Sequence, residues 1–186
     1  MSVSRISSRY AKSLMELSLD RNELEVVKKD ILYFIEAMRN RDLYLLLKSP
    51  IINAGKKISI IKTVFGDKLN STTMAFLEIV IKKGREMYLP EIAADFIGQY
   101  KFYNKISTIK ITTASPLSQD SMNDIKSKLL SSNITMDKLE VTEKVDPSII
   151  GGFIIEAGDK LYDASIAHKL EEMKKNLSNT QFVKSF

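Results

Sequence analysis

The stretch VDPSIIGGFIIEAGDKLYDASIAHKLEEM, residues 145–173, gathers three of the seven glycines, several acids and the one histidine of the chain. It is the place where these residue types could do chemistry. Asp163, Ser165 and His168 follow one another within six residues. A nucleophilic triad is defined by geometry rather than by order, and this spacing alone builds none. Ser165 or Asp163 reads instead as the cap of a final helix, with His168 on its surface. IIGGF lacks both G-x-G-x-x-G and the Lys-Ser/Thr end of a P-loop. Gly151 and Gly152 therefore read as a bulge or a close backbone approach. Glu156, Asp159 and Asp163 lack the alternating acidic pattern of a calcium loop and read as solvated turn residues. With no cysteine and one histidine, thiolate sites and multi-histidine metal centres fall away. No catalytic, cofactor-binding or metal-ligating residue is expected.

The chain has 186 residues, 44% of them hydrophobic and 27% charged, which is enough for one domain or two small ones. No apolar run approaches the roughly 18 residues that span a bilayer, and the first residues lack the apolar core of a signal peptide. An intracellular protein, soluble or peripheral to a membrane, is expected. The net charge of +5 is uneven: residues 1–105 hold 18 Lys and Arg against 12 Asp and Glu, and residues 106–186 hold 10 against 11. A basic half could serve a helical adaptor for nucleic acid or an anionic membrane surface. The Lys pairs at 28–29, 56–57 and 82–83 are the densest clusters, without interleaved aromatics, and read more simply as a solvated helical surface.

The elements that must position these residues follow two periods. Up to about Lys105 the apolar spacing is helical. Ile6, Tyr10, Leu14 and Leu17 mark a first helix over 4–20. Asn22 reads as the cap of a second that runs to Arg39, and RDLYLLL as a short third ending before Pro50. Asn53 caps a fourth with Ile58, Ile61, Val64 and Phe65 inward and Gly66 at its end. Ser71–Lys83, closed by Gly84, is a fifth, and Pro90 opens a sixth. Beyond Lys105, ISTIKITT alternates, with Ile109, Ile111 and Thr113 on one face. Ser118–Leu130 reads as a helix with Met122, Ile125 and Leu129 inward. KLEVTEKV alternates with Leu139, Val141, Glu143 and Val145 on one side. GFIIEAGDKLYDAS reads as a hairpin turning at Gly158–Asp159, a last helix follows from about Ser165 to Leu177, and the polar tail frays. The expected fold is mainly α: a six-helix bundle over 1–105, then a small α+β domain over 106–186.

The fifth helix resists a purely structural reading. Between Met74 and Ile81 only Glu78 is polar. In a small helical domain such a helix is either central or leaves part of its surface open to a partner. The first helix is also broad, since Ala11 and Met15 lie beside its stripe. Two such helices side by side could accept an amphipathic helix.

The chain resembles the delta subunit family of F-type ATP synthase, whose mitochondrial relative is the oligomycin-sensitivity-conferring protein. The resemblance is carried by Leu139, Val141, Val145, Asp146, Ile149, Gly151, Gly152, Phe153, Ile155, Glu156 and Gly158, continued by GDKLYDASIAHKL. RYAKSL at 9–14 and KKGRE at 82–86 add two weaker matches. The resemblance implies a six-helix domain, a smaller α+β domain and a stator role without catalysis or cofactor. It implies that the N-terminal helix of an alpha subunit meets Tyr10, Ser13 and Leu14 on the first helix and Ala75, Phe76, Ile79, Val80 and Lys83 on the fifth. It implies that the second domain meets the b subunits of the peripheral stalk, with Asp146, Gly151, Gly152, Gly158, Asp159 and Asp163 as structural motif residues. No nucleic acid is implied, and contact with the bacterial cell membrane, on its cytoplasmic face, comes only through the complex. Lys82–Lys83 departs from the family by making the end of the fifth helix basic.

Overall fold

The computed structural model describes residues 3–118, 122–125, 127, 138–158 and 160–179, with 178 and 179 described by backbone alone. The chain forms two compact units, Met1–Tyr103 and Asn104–Phe186. The molecule is mainly helical, with a small four-stranded sheet in its C-terminal half.

The N-terminal unit runs α1 (Val3–Asp20), α2 (Leu24–Ala37), α3 (Arg41–Lys48), α4 (Ala54–Phe65), α5 (Ser71–Lys82), a 3-10 turn (Glu86–Tyr88) and α6 (Leu89–Tyr103). Side-chain caps fix three of the starts. Asn40, Asn53 and Asn70 accept hydrogen bonds from the N–H groups of Asp42, Gly55 and Thr72, each satisfying a donor that a helix start leaves free. Asp30, buried in α2, adds a carboxylate at the start of α5: its Oδ2 accepts from the Asn70 N–H at 2.8 Å and the Thr73 hydroxyl at 2.7 Å. Asn22 does not cap α2 as its type suggested. It adopts a φ of +55°, and the Glu23 N–H reaches back to the Ser18 carbonyl at 2.9 Å. Asn22 thus closes α1 in the left-handed conformation that asparagine tolerates, while α2 starts without a side-chain cap.

One core joins these helices. Leu14, Val27, Ile31, Phe34, Leu47, Ile61, Phe65, Leu77, Val80, Ile81, Ile92 and Phe96 are buried together. Helix α1 packs chiefly on α6, and α5 chiefly on α4. Val64, expected inward, is exposed instead, because the ridge Lys57–Ile61–Phe65 faces the core.

The C-terminal unit is built on β1 (Ile106–Thr113), β2 (Lys138–Val145), β3 (Phe153–Ala157) and β4 (Lys160–Asp163), in sheet order β2-β1-β3-β4. Strands β1 and β2 are parallel, with Ile109 opposite Val141, and the other two pairs are antiparallel. Ile109, Ile111 and Thr113 are buried along one face of β1 as their alternation requires. In β2, Leu139 and Val141 are half-buried, whereas Glu143 and Val145 are exposed. A 3-10 turn (Pro147–Ile149) precedes β3, and α7 (Ile166–Asn179) ends the described chain. Residues 122–125 are helical, with Met122 and Ile125 half-buried. Leu129, most of the helix expected there, Asp159 and the expected fraying tail lie outside the described residues.

Candidate functional site

The acids and glycines of residues 145–173 form a joint rather than a reaction centre. Asp146 folds its carboxylate onto Ser148, accepting from its N–H at 3.1 Å and its hydroxyl at 2.5 Å, and so starts the 3-10 turn. Those bonds, first that from the Ser148 hydroxyl, hold its carboxyl below the ordinary value. The chain then passes Ile150, at φ +67°, and reaches Gly152 at φ +77°. A Cβ on Gly152 would stand 2.3 Å from the Ala164 carbonyl oxygen, so the approach of the two backbones there admits only glycine. A Cβ on Gly151 would meet the Ile166 Cδ1 at 2.8 Å. The contact is sealed by bonds from the Ala164 N–H to the Phe153 carbonyl at 3.0 Å and from the Ile166 N–H to the Gly151 carbonyl at 2.9 Å. Gly158, at φ +63°, turns β3 into β4. Ser165 is the cap: its hydroxyl accepts from the His168 N–H at 3.1 Å, and Asp163 accepts from the Ser165 N–H at 2.8 Å. His168 is exposed, 3.7 Å from Glu172. Among the described residues no group of three or more histidine, cysteine or acidic residues could hold a metal ion.

The face shared by α1 and α5 has a different character. Tyr10, half-buried, meets Phe76 edge-on with ring centroids 6.4 Å apart. Arg85 donates to the Tyr10 hydroxyl at 2.6 Å and lies over its ring. This cluster joins two helices that otherwise lean on different neighbours. Helix α5 does not bury its whole circumference: Thr72, Thr73, Phe76, Leu77, Val80 and Ile81 are buried, while Ala75 and Ile79 are exposed, Ile79 by 52%. Ser13 and Leu17 form the exposed edge of α1. Glu78, the one polar side chain in the apolar run, accepts from Lys62 of α4 at 2.8 Å, and Lys62 first and foremost holds its carboxyl below the ordinary value.

The eight positions singled out on these helices therefore divide. Ser13, Ala75, Ile79 and Lys83 are open and Tyr10 is half-open. Leu14 and Val80 have no exposed surface and Phe76 has 8%. These three close the core under the face, and Ile79 and its open neighbours form its surface. Leu17, 37% exposed, was missed as a surface residue, although its place one turn beyond Ser13 puts it on the same ridge.

A family model described as ATP synthase delta (OSCP) subunit matches residues 6–177. The ATP synthase subunit delta of Cytophaga hutchinsonii is 33% identical over 175 residues, covering 94% of each chain. That of Chloroherpeton thalassium is 34% identical over 178 residues, 95% of this chain and 96% of the relative. That of Brevibacillus brevis is 32% identical over 169 residues, 90% and 95%. In fold, the chain is similar to one in the mitochondrial ATP synthase hexamer of Toxoplasma gondii, with a TM-score of 0.71, 18% identity, and coverage of 94% and 98%. With a match along nearly its whole length, a site region that builds a joint instead of a reaction centre, and an apolar face left open, the chain belongs to the ATP synthase delta (OSCP) subunit family, the non-catalytic peripheral-stalk component of F-type ATP synthase.

Proposed function

We propose that this chain ties the catalytic head to the peripheral stalk through two separate attachments. Helices α1–α6 form the head-facing domain, the counterpart of the family's six-helix domain. The N-terminal helix of an alpha subunit lies on the α1/α5 face, against Ile79, Ala75, Leu17, Ser13 and the rim of Tyr10, with Lys83 at one end. Leu14, Phe76 and Val80 support that face from the core. The C-terminal unit meets the b subunits. Held this way, the head does not turn with the rotor, and rotation stays coupled to proton movement. Family membership places the chain in a membrane-associated complex, and no helix among the described residues is long and apolar enough to cross a membrane. The bacterial relatives favour a peripheral place on the cytoplasmic face of the cell membrane.

The observation that carries the reading is the exposure of Ile79 and Ala75 on a helix whose other apolar residues are buried or, at Met74, half-buried. Calorimetric titration with the alpha-subunit N-terminal peptide tests it. Ile79→Asp places a charge in the apolar contact and should weaken binding at least about tenfold. Because Ile79 is exposed, the unfolding midpoint should stay where it is in the parent protein. Unchanged affinity in Ile79→Asp would remove the α1/α5 face from the assignment.

A further inference from the structure

Helix α7 carries four exposed apolar residues: Ile166, Leu170, Met173 and Leu177, between 45% and 78% accessible. Their spacing is four, three, four, the alternation of d and a positions in a heptad. Such a seam is built for another helix, and nothing in the described unit covers it. The helix is held at its first turn, where the Ile166 N–H bonds the Gly151 carbonyl and the Ile166 side chain reaches Gly151. The charges beside the seam say what kind of helix fits. In this register Lys169 takes a g position and Lys174 an e position, one on each side of the stripe. Glu171 and Glu172 fall at b and c, away from it, and Glu171 is engaged by Lys175 at 2.9 Å. A second copy of the chain is a poor match. In a parallel pair, Lys169 of one copy would face Lys174 of the other, and in an antiparallel pair the flanks offer only Ala167 and Asn176 to the lysines.

We infer that the seam Ile166–Leu170–Met173–Leu177 of α7 is a coiled-coil docking surface for a partner helix whose own a and d positions are apolar and whose flanking e and g positions are acidic. The inference deepens the reading of the C-terminal unit as stalk-facing by giving it a surface and a partner chemistry. The following titration uses no ATP synthase subunit, so its failure would leave the stalk reading standing.

The full chain is titrated with two designed peptides of roughly four heptads, long enough to form helix on pairing. Both carry leucine and isoleucine at a and d; one has glutamate and the other lysine at e and g. The glutamate peptide should bind saturably, and the lysine peptide at least about tenfold more weakly. The double substitution Lys169→Glu with Lys174→Glu should invert that preference. Leu170→Asp, at a site 51% exposed, should abolish binding to both peptides while leaving the circular dichroism of the chain unchanged. Equal binding of the two peptides overturns the inference, as does binding that survives Leu170→Asp or the absence of binding at millimolar peptide. A dimer in solution that Leu170→Asp dissolves would overturn it too, because a second copy would then occupy the seam.

Discussion

Lys57 is the residue that departs furthest from its type. A lysine is rarely enclosed without partners, yet this one, in the first turn of α4, has 1% of its surface exposed. Its ammonium group donates to the Leu47 carbonyl at 3.1 Å, the Ser49 carbonyl at 2.7 Å and Glu86 Oε1 at 2.7 Å. One side chain thereby satisfies the free carbonyls that end α3 and neutralises the carboxylate of the 3-10 turn before α6. The other Glu86 oxygen, Oε2, is buried and has no hydrogen-bond partner among the described residues. Removing one member of such a pair strands the other charge. Lys57→Met should therefore destabilise the N-terminal unit by about 3–5 kcal/mol, read as a lower urea midpoint at unchanged slope. Adding Glu86→Gln should restore part of the loss, since no buried charge then remains alone. In the sequence the Lys56–Lys57 pair looks like solvated surface. The available signal was positional: Lys57 stands four residues before Ile61 and eight before Phe65, on the ridge that carries the apolar residues of α4 inward.

At the scale of elements, the pattern of apolar residues located every described helix and strand, because periods of 3.6 and 2 are imposed by which face must leave water. The ends were legible where a side chain makes the cap, as with Asn53 and Ser165. They were misjudged at Asn22, where the same residue type can either open a helix or close one in the left-handed conformation, and only the route of the chain decides. The last helix offers a test of such a cap. The Ser165 side chain first, then its backbone N–H, holds the Asp163 carboxyl below its ordinary value of 3.8. A carboxyl depressed in the folded state favours folding above its ordinary value and ceases to do so as pH falls through the lowered one. Acid should therefore weaken the start of α7 as pH falls below about 4. Asp163→Asn should flatten that dependence. Ser165→Ala should flatten it as well and also cost about 1 kcal/mol at neutral pH through loss of the cap. Helicity followed by circular dichroism from pH 6 down to pH 2 separates the two variants: a parent-like acid profile in Asp163→Asn would mean that other groups set it.

The whole molecule makes physical sense as a connector because its two units are differently equipped. The N-terminal unit has its own large core, drawn entirely from residues before Tyr103. Among the described residues the C-terminal unit buries far fewer apolar side chains and leaves Leu161, Tyr162, Ile166, Leu170, Met173 and Leu177 exposed. This contrast was only half visible in the sequence. Composition separates a basic helical half from a mixed one, but the exposure of an apolar residue depends on what the fold brings over it. A single helix laid on an apolar face must overcome an association cost of about 4–15 kcal/mol. A second attachment on the same chain turns the next binding event into an intramolecular one, at an effective concentration of about millimolar for a short connection. Neither unit alone has that advantage. A fragment of residues 1–103 should fold, since its core is complete, and should bind the alpha-subunit peptide as tightly as the full chain. Reconstituted into vesicles with an ATP synthase lacking its own delta subunit, the fragment should leave ATP hydrolysis intact yet fail to restore ATP-driven proton pumping, which the full chain restores. Pumping restored by the fragment would show that head binding alone holds the stator, and the two-attachment account of this architecture would fall.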